Sequence, residues 1–461
     1  MHIALIHPPI SDGAVSITPP LGLAYLAAVL EKKGVRLTCL AADAEQLSCD
    51  QAARRILELD VDVVGISATT LSVNNAKRIW KRIKSGMNNV IGIAGGPHAT
   101  IFPEELLGAG FDFVVRGEGE STISEIVDLL NGKTTIQEVR GLSYIEAGKM
   151  CHNDNRPLIP DLDSLPYPAW HYFPLDLYHS EFKKSDLCLP IITSRGCPGH
   201  CVFCYKGLFG NRFRARSPGR IVEEISFFIR RYGIEEFAVV DDSFTSIPKR
   251  VTRFCELLLE KNIAIPWSLP SGVRVDTASE QLFSALKSAG CYRIGFGVES
   301  GNDDILKSIK KNVTKEQARN AVEMAKNAML EVYCFFMLGN LEETIDTLND
   351  TIRFAIELNP NVAQFSIATP LPGSEMFNIL ESDNRLTSNN WEDYNYLKSR
   401  VNVFRHRHLS PSLLAKKLRQ AYLTFYLRPG YIIGRIRQLK KSEDFLKNVK
   451  AFLRLFSILK K

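Results

Sequence analysis

Short apolar strands alternate with helix-patterned stretches along most of this chain, and that alternation limits the possible folds more than any other feature. In residues 1–145 a helical pattern at 21–33, for example, follows Pro19-Pro20 and stops at Gly34. The predicted strands of this part are residues 2–7, 35–40, 63–68, 90–94 and 113–115. The pattern predicts an α/β fold class, with an N-terminal doubly wound (Rossmann-like) parallel sheet that has helices on both faces.

The alternation resumes at residue 189 with wider spacing and continues to about residue 400. The predicted strands are 189–194, 236–241, 266–274, 293–299, 331–338 and 364–369, and the predicted helices are 218–232, 248–262, 279–288, 315–328 and 343–357. Six such periods predict a partial (β/α)6 TIM-like barrel, whose chemistry lies at the carboxyl ends of the strands. Residues 146–188 read as a connector, because Pro166 and Pro168 cannot continue a helix.

Residues 401–461 are predicted to form C-terminal helices. Apolar residues recur at helical spacing in two stretches, 413–425 and 445–456, separated by Pro429-Gly430. Lys and Arg far outnumber the two acidic residues here, although the net charge of the whole chain is only +6. Two interpretations stay open: a helical cap that packs its apolar stripe on the barrel, or an interfacial helix that docks on an anionic membrane.

Composition is that of a globular protein, with 45% hydrophobic and 23% charged residues in 461. No basic region precedes the first strand and no apolar run reaches about 18 residues, so neither a secretory signal nor a membrane span is predicted. The ten cysteines show no paired framework, which favours a reducing compartment. We therefore expect a cytoplasmic protein, with membrane association only through the basic tail.

Polar and glycine residues collect where strands of the first domain end. The stretches are His7-Pro8-Pro9, Ser67-Ala68-Thr69-Thr70, Gly95-Gly96-Pro97-His98 and Arg116-Gly117-Glu118-Gly119-Glu120. Ligands of doubly wound domains bind at these carboxyl ends. No GxGxxG follows the first strand and no GxxxxGK[ST] is present, so ordinary dinucleotide or triphosphate binding is unsupported.

Three cysteines lie within eight residues, just after the strand predicted at 189–194. The stretch is Cys197-Pro198-Gly199-His200-Cys201-Val202-Phe203-Cys204. Pro198 and the glycines at 196 and 199 forbid a regular helix, so the thiols belong to a tight loop after a strand. Convergent thiolates suit an iron–sulfur cluster. Structural zinc would need a fourth ligand; His200 could supply one, but no second Cys/His pair is nearby.

The CxxxCxxC spacing with an aromatic before the last cysteine, together with the N-terminal third, resembles the cobalamin-binding branch of the radical S-adenosylmethionine (SAM) enzymes. The resemblance covers about residues 1–400 and implies a 4Fe–4S cluster on Cys197, Cys201 and Cys204. It implies that SAM is held by Phe203 of the cysteine motif, which packs near the adenine, and by strand-end residues of the barrel, which are Asp241, Asp242, Glu299, Ser300 and Gly339. The chain departs from the family's Gly-x-Pro-Gly-Glu-Thr motif at Leu341 and Glu342.

The resemblance also implies that the strand-end loops of the first domain cradle cobalamin. The residues it indicates are Ser67, Thr69, Gly95, Gly96, Pro97, Gly117 and Glu118. The DxHxxG motif, whose histidine coordinates cobalt in many relatives, is absent. His7 and His98 lie in strand-end loops without that context, so we expect cobalt to have no protein histidine ligand.

The implied activity is reductive cleavage of SAM to a 5′-deoxyadenosyl radical, which abstracts hydrogen from an unactivated carbon. Methyl transfer from methylcobalamin to carbon or phosphorus is the first expectation. Radical cyclisation or rearrangement of a tetrapyrrole or lipid-like substrate, and a sensor without turnover, are the alternatives. Expected partners are a small-molecule or lipid-like substrate and a flavodoxin or ferredoxin as electron donor, with no nucleic acid. The sequence assigns no catalytic residue and no particular substrate.

Overall fold

The computed structural model describes residues 1–10, 18–178, 183–395 and 403–438, with the side chains of Gly272 and 436–438 excepted. The second apolar stretch of the tail, 445–456, lies outside these ranges. The chain divides into two compact units: Met1–Cys197 with Tyr205–Glu235, and Pro198–Cys204 with the residues from Glu236 onward. Among the described residues, no helix is both long and apolar enough to cross a membrane.

The described residues of the first unit form ten strands and seven α-helices. The strands are β1 (His2–His7), β2 (Arg36–Ala41), β3 (Val63–Ser67), β4 (Ile91–Gly95), β5 (Phe113–Val115), β6 (Leu142–Glu146), β7 (Lys149–His152), β8 (Cys188–Ile191), β9 (Ser194–Arg195) and β10 (Arg214–Ala215). The helices are α1 (Leu21–Lys32), α2 (Cys49–Leu57), α3 (Val73–Gly86), α4 (Pro97–Ile101), α5 (Pro103–Gly108), α6 (Gly119–Leu130) and α7 (Pro218–Tyr232).

Seven of these strands form one sheet in the order β2-β1-β3-β4-β5-β6-β7. The first five are parallel, as the alternation predicts, and the order reverses between β1 and β3. The carboxyl ends at such a reversal are where ligands bind in doubly wound sheets. Trp80 illustrates the core: it stacks on Phe111 with ring centroids 5.1 Å apart, and a Cβ on Gly92 would lie 2.3 Å from its ring, so only glycine fits there.

The antiparallel hairpin β6–β7 is a feature that the sequence did not predict. It extends the sheet from β5, so residues 149–152, which were predicted to belong to the connector, form a strand instead. The turn between the two strands contains Ala147 and Gly148, both with positive φ (49° and 76°). Such a turn matches the twist of paired strands.

In the part of the second unit that the structure describes there are five parallel strands, paired in the order β15-β14-β13-β12-β11. The strands are β11 (Glu236–Val239), β12 (Trp267–Val273), β13 (Cys291–Glu299), β14 (Glu331–Leu338) and β15 (Val362–Ile367). The helices are α8 (Pro248–Glu260), α9 (Glu280–Ser288), α10 (Asp303–Ser308), α11 (Lys315–Asn327), α12 (Ile345–Leu358), α13 (Glu375–Ser382), α14 (Pro411–Tyr426) and α15 (Pro429–Gln438). The strand–helix alternation predicted from residue 236 is therefore present.

Helix α14 covers the outer edge of β15 with tyrosine hydroxyls. Tyr422 accepts from the Phe365 N–H at 3.2 Å and donates to the Phe365 carbonyl at 2.8 Å. Tyr426 makes the same pair of hydrogen bonds with Ala363, at 3.2 and 2.9 Å. Its apolar residues Leu414, Leu418, Ala421 and Phe425 are buried. This part of the tail is thus a cap, as one of the two interpretations predicted.

Candidate active site

The three cysteines lie on a loop whose two ends are joined by a short ladder. β9 and β10 pair antiparallel, with Arg195 opposite Arg214, so residues 196–213 form a closed loop. Gly196 begins it with φ of +84°, and a Cβ there would lie 2.4 Å from the Arg212 carbonyl oxygen. The close approach of the two loop ends therefore requires glycine.

Each of the three thiols is half-buried, and none of the ten cysteines, all of which lie in the described ranges, forms a disulfide. Among the described residues, no three His, Cys, Asp or Glu side chains surround a single metal ion. A four-iron cluster binds each thiolate through a different iron, so its ligands need not meet at one point. Three accessible thiols on one tight loop fit such a cluster.

The turn from Cys201 to Cys204 is anchored by backbone hydrogen bonds of the second unit. The Cys204 N–H donates to the Cys201 carbonyl at 3.1 Å. Between them, Val202 donates its N–H to the Ile309 carbonyl at 3.1 Å and accepts from the Met376 N–H at 2.8 Å. Two of the three cysteines are therefore fixed against the segments that follow α10 and that begin α13.

A lysine–glutamate pair lies beside these two cysteines. Lys311 Nζ is 3.0 Å from Glu299 Oε1 and 5.9 Å from the ring centre of Phe203. Burial works to lower the pKa of Lys311, but Glu299 and the Cys201 and Cys204 thiols outweigh it, and the pKa is raised. The ammonium therefore stays charged and favours anionic groups at this point of the site.

The backbone around Glu299 has two unusual features that accompany the Lys311–Glu299 pair. Glu299 has φ of +67°, where a residue with a Cβ is strained, and it lies at a register shift between β13 and β14. Strained residues of this kind cluster at functional sites. A Cβ on Gly297 would lie 2.5 Å from Glu299 Oε1 and 2.8 Å from Lys311 Nζ. Glycine at 297 thus leaves the space that the ion pair occupies.

The other residues predicted to bind SAM are placed differently from one another. Asp241 is buried, whereas the neighbouring Asp242 is exposed. Ser300 is also buried, and its hydroxyl lies 3.1 Å from that of Thr351 in α12. Gly339 has φ of +89°, and its N–H donates to the carboxylate of Glu343. That these residues bind SAM stays a prediction.

Glu343 is a residue whose importance the sequence did not reveal. It is fully buried, and one of its oxygens accepts from the N–H groups of Gly339 and Asn340. Burial raises the pKa of Glu343 to about 7. Its carboxylate braces the turn after β14, where Leu341 and Glu342 replace the proline and glycine of the family motif.

In the first unit, three strand-end loops meet at the carboxyl edge of the sheet. The Ala68 N–H donates to the Gly95 carbonyl at 2.7 Å, and the Gly117 N–H donates to the Thr100 hydroxyl at 3.0 Å. A Cβ on Gly96 would lie 2.9 Å from the Ala68 carbonyl oxygen. The small residues predicted to bind cobalamin are half-buried at this edge: Ser67, Thr69, Gly95, Gly96, Pro97 and Gly117. They lie at the edge of the sheet where ligands of doubly wound domains bind.

Glu118 and His98 belong to the same strand-end loops, but their side chains are buried. Glu118 accepts from Arg195 and Arg214 and is 1% exposed in its side chain. His98 is 0% exposed, with Nε2 3.1 Å from Glu105 and Nδ1 3.3 Å from the Thr70 hydroxyl. Both ring nitrogens of His98 are thus within hydrogen-bond reach of partners inside the domain.

Comparison with known proteins identifies the family. A model of the B12 binding domain matches residues 11–127, and a model of the Radical SAM superfamily matches residues 191–355. An uncharacterized methyltransferase of Pyrococcus horikoshii is 37% identical over 441 residues, covering 94% of each chain. The chain is a cobalamin-dependent radical SAM enzyme. Its cofactors are accordingly a 4Fe–4S cluster, SAM and cobalamin, and its α/β fold class, with a doubly wound domain before the radical SAM domain, is confirmed.

Relatives of this cobalamin-dependent radical SAM enzyme carry different activities in their names. The anaerobic magnesium-protoporphyrin IX monomethyl ester cyclase of Rubrivivax gelatinosus is 27% identical and covers 98% of this chain and 82% of its own length. The radical SAM methyltransferase TsrM of Kitasatospora setae, solved with cobalamin and a [4Fe-4S] cluster bound, has a TM-score of 0.72 at 14% identity and covers 93% and 89% of the two chains. At this identity, the similarity to TsrM shows a shared fold alone.

Proposed function

We propose that this enzyme transfers a methyl group to an unactivated carbon, or to phosphorus, of a small-molecule substrate. The observation that carries the proposal is the relative that is 37% identical over 94% of this chain and is a methyltransferase by name; the Lys311–Glu299 pair near Cys201 and Cys204 supports the binding of SAM beside the cluster. Membership of an enzyme family leaves the sensor alternative without support. Cyclisation or rearrangement of a tetrapyrrole-like substrate is the second candidate, because the cyclase relative spans 98% of this chain.

In this proposal the chain's own residues hold and orient the cofactors. Cys197, Cys201 and Cys204 hold the cluster, which when bound supplies the electron that cleaves SAM. Lys311 would favour the anionic carboxylate of SAM, and Glu299, paired with Lys311, would hold the nucleoside. The remaining predicted contacts are Phe203, Asp241, Asp242, Ser300 and Gly339. A flavodoxin or ferredoxin is the proposed electron donor.

Reconstitution of the enzyme tests this reading. The chain is loaded anaerobically with iron, sulfide and hydroxocobalamin, then given reductant and SAM with a deuterated methyl group; Cys204→Ala is the control. We expect 5′-deoxyadenosine and deuterated methylcobalamin from the wild type and neither from the variant. Deoxyadenosine without methylcobalamin would favour the cyclase candidate, and the absence of both would contradict the enzyme reading.

Cobalamin is proposed to bind at the strand-end loops of the first unit without a histidine on cobalt. The small residues at the sheet edge and the partners of His98 inside the domain support this. Paramagnetic resonance of the cob(II)alamin form should show no nitrogen superhyperfine splitting. A splitting that disappears in His98→Ala or His7→Ala would contradict the proposal.

Peripheral membrane contact, through which a lipid-like substrate would be collected, is a further part of the proposal. In α15, Ile432 and Ile433 are 40% and 49% exposed, and Leu427, just before the helix, is 44% exposed; the basic segment 439–461 follows in the sequence. Apolar and basic groups together suit an anionic bilayer surface. Sedimentation with anionic vesicles should carry the protein down at low salt, and truncation after Gln438 should weaken this. If the intact protein stays in the supernatant, this part of the proposal falls.

A further inference from the structure

Two arginines at the ends of the cysteine loop share one buried carboxylate. Glu118 accepts from Arg195 Nη1 at 2.9 Å and from Arg214 Nη1 and Nη2, each at 3.0 Å. The Ile159 N–H donates to its other oxygen at 2.6 Å. We call Glu118, Arg195 and Arg214 the Glu118 clamp. Since Arg195 ends β9 and Arg214 begins β10, the clamp lies where the loop of residues 196–213 opens and closes.

The charges of the clamp are balanced in a place that excludes water. The side chains of Arg195, Arg214 and Glu118 are 4%, 6% and 1% exposed. Glu120 supplies the second negative charge, with its carboxylate 2.5 Å from Arg195 Nη2. Two carboxylates therefore neutralise two guanidinium groups. Loss of one partner from such a buried set leaves an uncompensated charge and is strongly destabilising.

The clamp also reaches into the loop through Phe209. Arg214 Nη2 donates to the Phe209 carbonyl at 3.1 Å, and the Arg195 guanidinium lies 5.1 Å from the centre of the Phe209 ring. The carbonyl oxygens of Phe209 and Arg212 leave no space for a Cβ on Gly196, at 3.0 and 2.4 Å. A shift of either arginine would therefore move the residues that flank the three cysteines.

We propose that Glu118 is a positioning residue for the cysteine loop: by holding Arg195 and Arg214 together it fixes the two ends of residues 196–213, and with them Cys197, which lies two residues after Arg195. Both oxygens of Glu118 already accept from N–H donors, so its place in the Arg116–Glu120 loop serves the cluster loop rather than contact with cobalamin. The inference rests on the proposed function, because it assumes that the cysteines hold a cluster.

The test uses the double variant Glu118→Gln/Arg214→Gln in the full, anaerobically reconstituted chain. The double change removes one charge of each sign and leaves Arg195 paired with Glu120, so we expect a melting temperature near that of the wild type. Iron release to a chelator, measured below the melting temperature, should be at least several-fold faster. The paramagnetic resonance spectrum of the reduced cluster should be altered. Glu118→Gln alone should lower the melting temperature, because two arginines then face one carboxylate.

The matched control is Glu125→Gln/Arg156→Gln, which removes another ion pair of the same unit and should keep wild-type iron release and spectrum. Wild-type release and spectrum in the clamp double variant would overturn the proposal while leaving the proposed function intact. Failure of the double variant to fold would also overturn it, because the clamp would then be a requirement of the core rather than of the loop. A wild type that takes up no cluster would overturn the proposed function as well.

Discussion

The tyrosine hydroxyls of α14 are predicted to stabilise the edge of β15 by an amount that can be worked out from the structure. Tyr426→Phe keeps the ring but removes a hydroxyl that both accepts from the Ala363 N–H and donates to its carbonyl. Two hydrogen bonds of about 0.5–1.5 kcal/mol each are lost, so the free energy of unfolding should fall by about 1–3 kcal/mol. Tyr422→Phe, which frees both backbone groups of Phe365, should cost a similar amount.

Urea unfolding measures the free-energy change, and hydrogen exchange resolved to the peptide 362–367 locates it. We expect faster exchange of the Ala363 amide in Tyr426→Phe and of the Phe365 amide in Tyr422→Phe. The control is Tyr178→Phe, because the Tyr178 hydroxyl is buried and has no hydrogen-bond partner among the described residues, so its loss should not destabilise the protein. Wild-type stability together with unchanged exchange in both variants would refute the reasoning that α14 protects this edge.

Three further predictions concern the candidate site. Alanine at Cys197, Cys201 or Cys204 should abolish the iron–sulfur absorption. Cys255→Ala, which removes a buried thiol outside the cysteine loop, should keep the absorption. Full iron content in a triple variant of the loop cysteines would contradict the assignment. Gly297→Ala should reduce SAM cleavage at least tenfold with little change in melting temperature, because its Cβ would displace the flexible ends of Glu299 and Lys311; Gly219→Ala, with no atom within 4 Å of the added Cβ, should have no effect. Burial raises the pKa of Glu343 from 4.5 to about 7, so the stability that protonated Glu343 contributes is present below pH 4.5 and is lost as the pH rises through 7. Glu343→Gln should remove this part of the pH dependence of urea unfolding. An unchanged pH dependence in the variant would contradict the prediction.

Elements with strong local signals were predictable from the sequence. Helix α7 has the predicted bounds, 218–232. Ser217 accepts from the Arg220 N–H, Pro218 occupies the first turn and Gly233 ends the helix in a left-handed conformation. The loop that carries the three cysteines was predictable as well, because Pro198 and the glycines at 196 and 199 exclude a regular helix there; that these thiols hold the cluster stays a prediction.

Hairpin β6–β7 escaped prediction because its signal is not local. Its outer strand has exposed or half-buried side chains, so no apolar run marks it. It is a strand because its backbone groups pair with β6 across the turn at Ala147-Gly148. The two interpretations of the first tail helix were likewise indistinguishable in the sequence, since an apolar stripe is the same whether it meets protein or lipid; the buried contacts of α14 with β15 decided between them.

What the sequence determined by itself is the alternation of parallel strands with helices, the cysteine loop and the family, all of which depend on residues close together in the chain. What only the tertiary structure decided is which distant charges meet. Glu118 lies 77 residues from Arg195 and 96 from Arg214 along the chain, and Lys311 lies 12 residues from Glu299 across a helix. A buried charge is tolerated only with a partner of opposite sign, and the partner is chosen by the packing of the sheet rather than by spacing in the sequence.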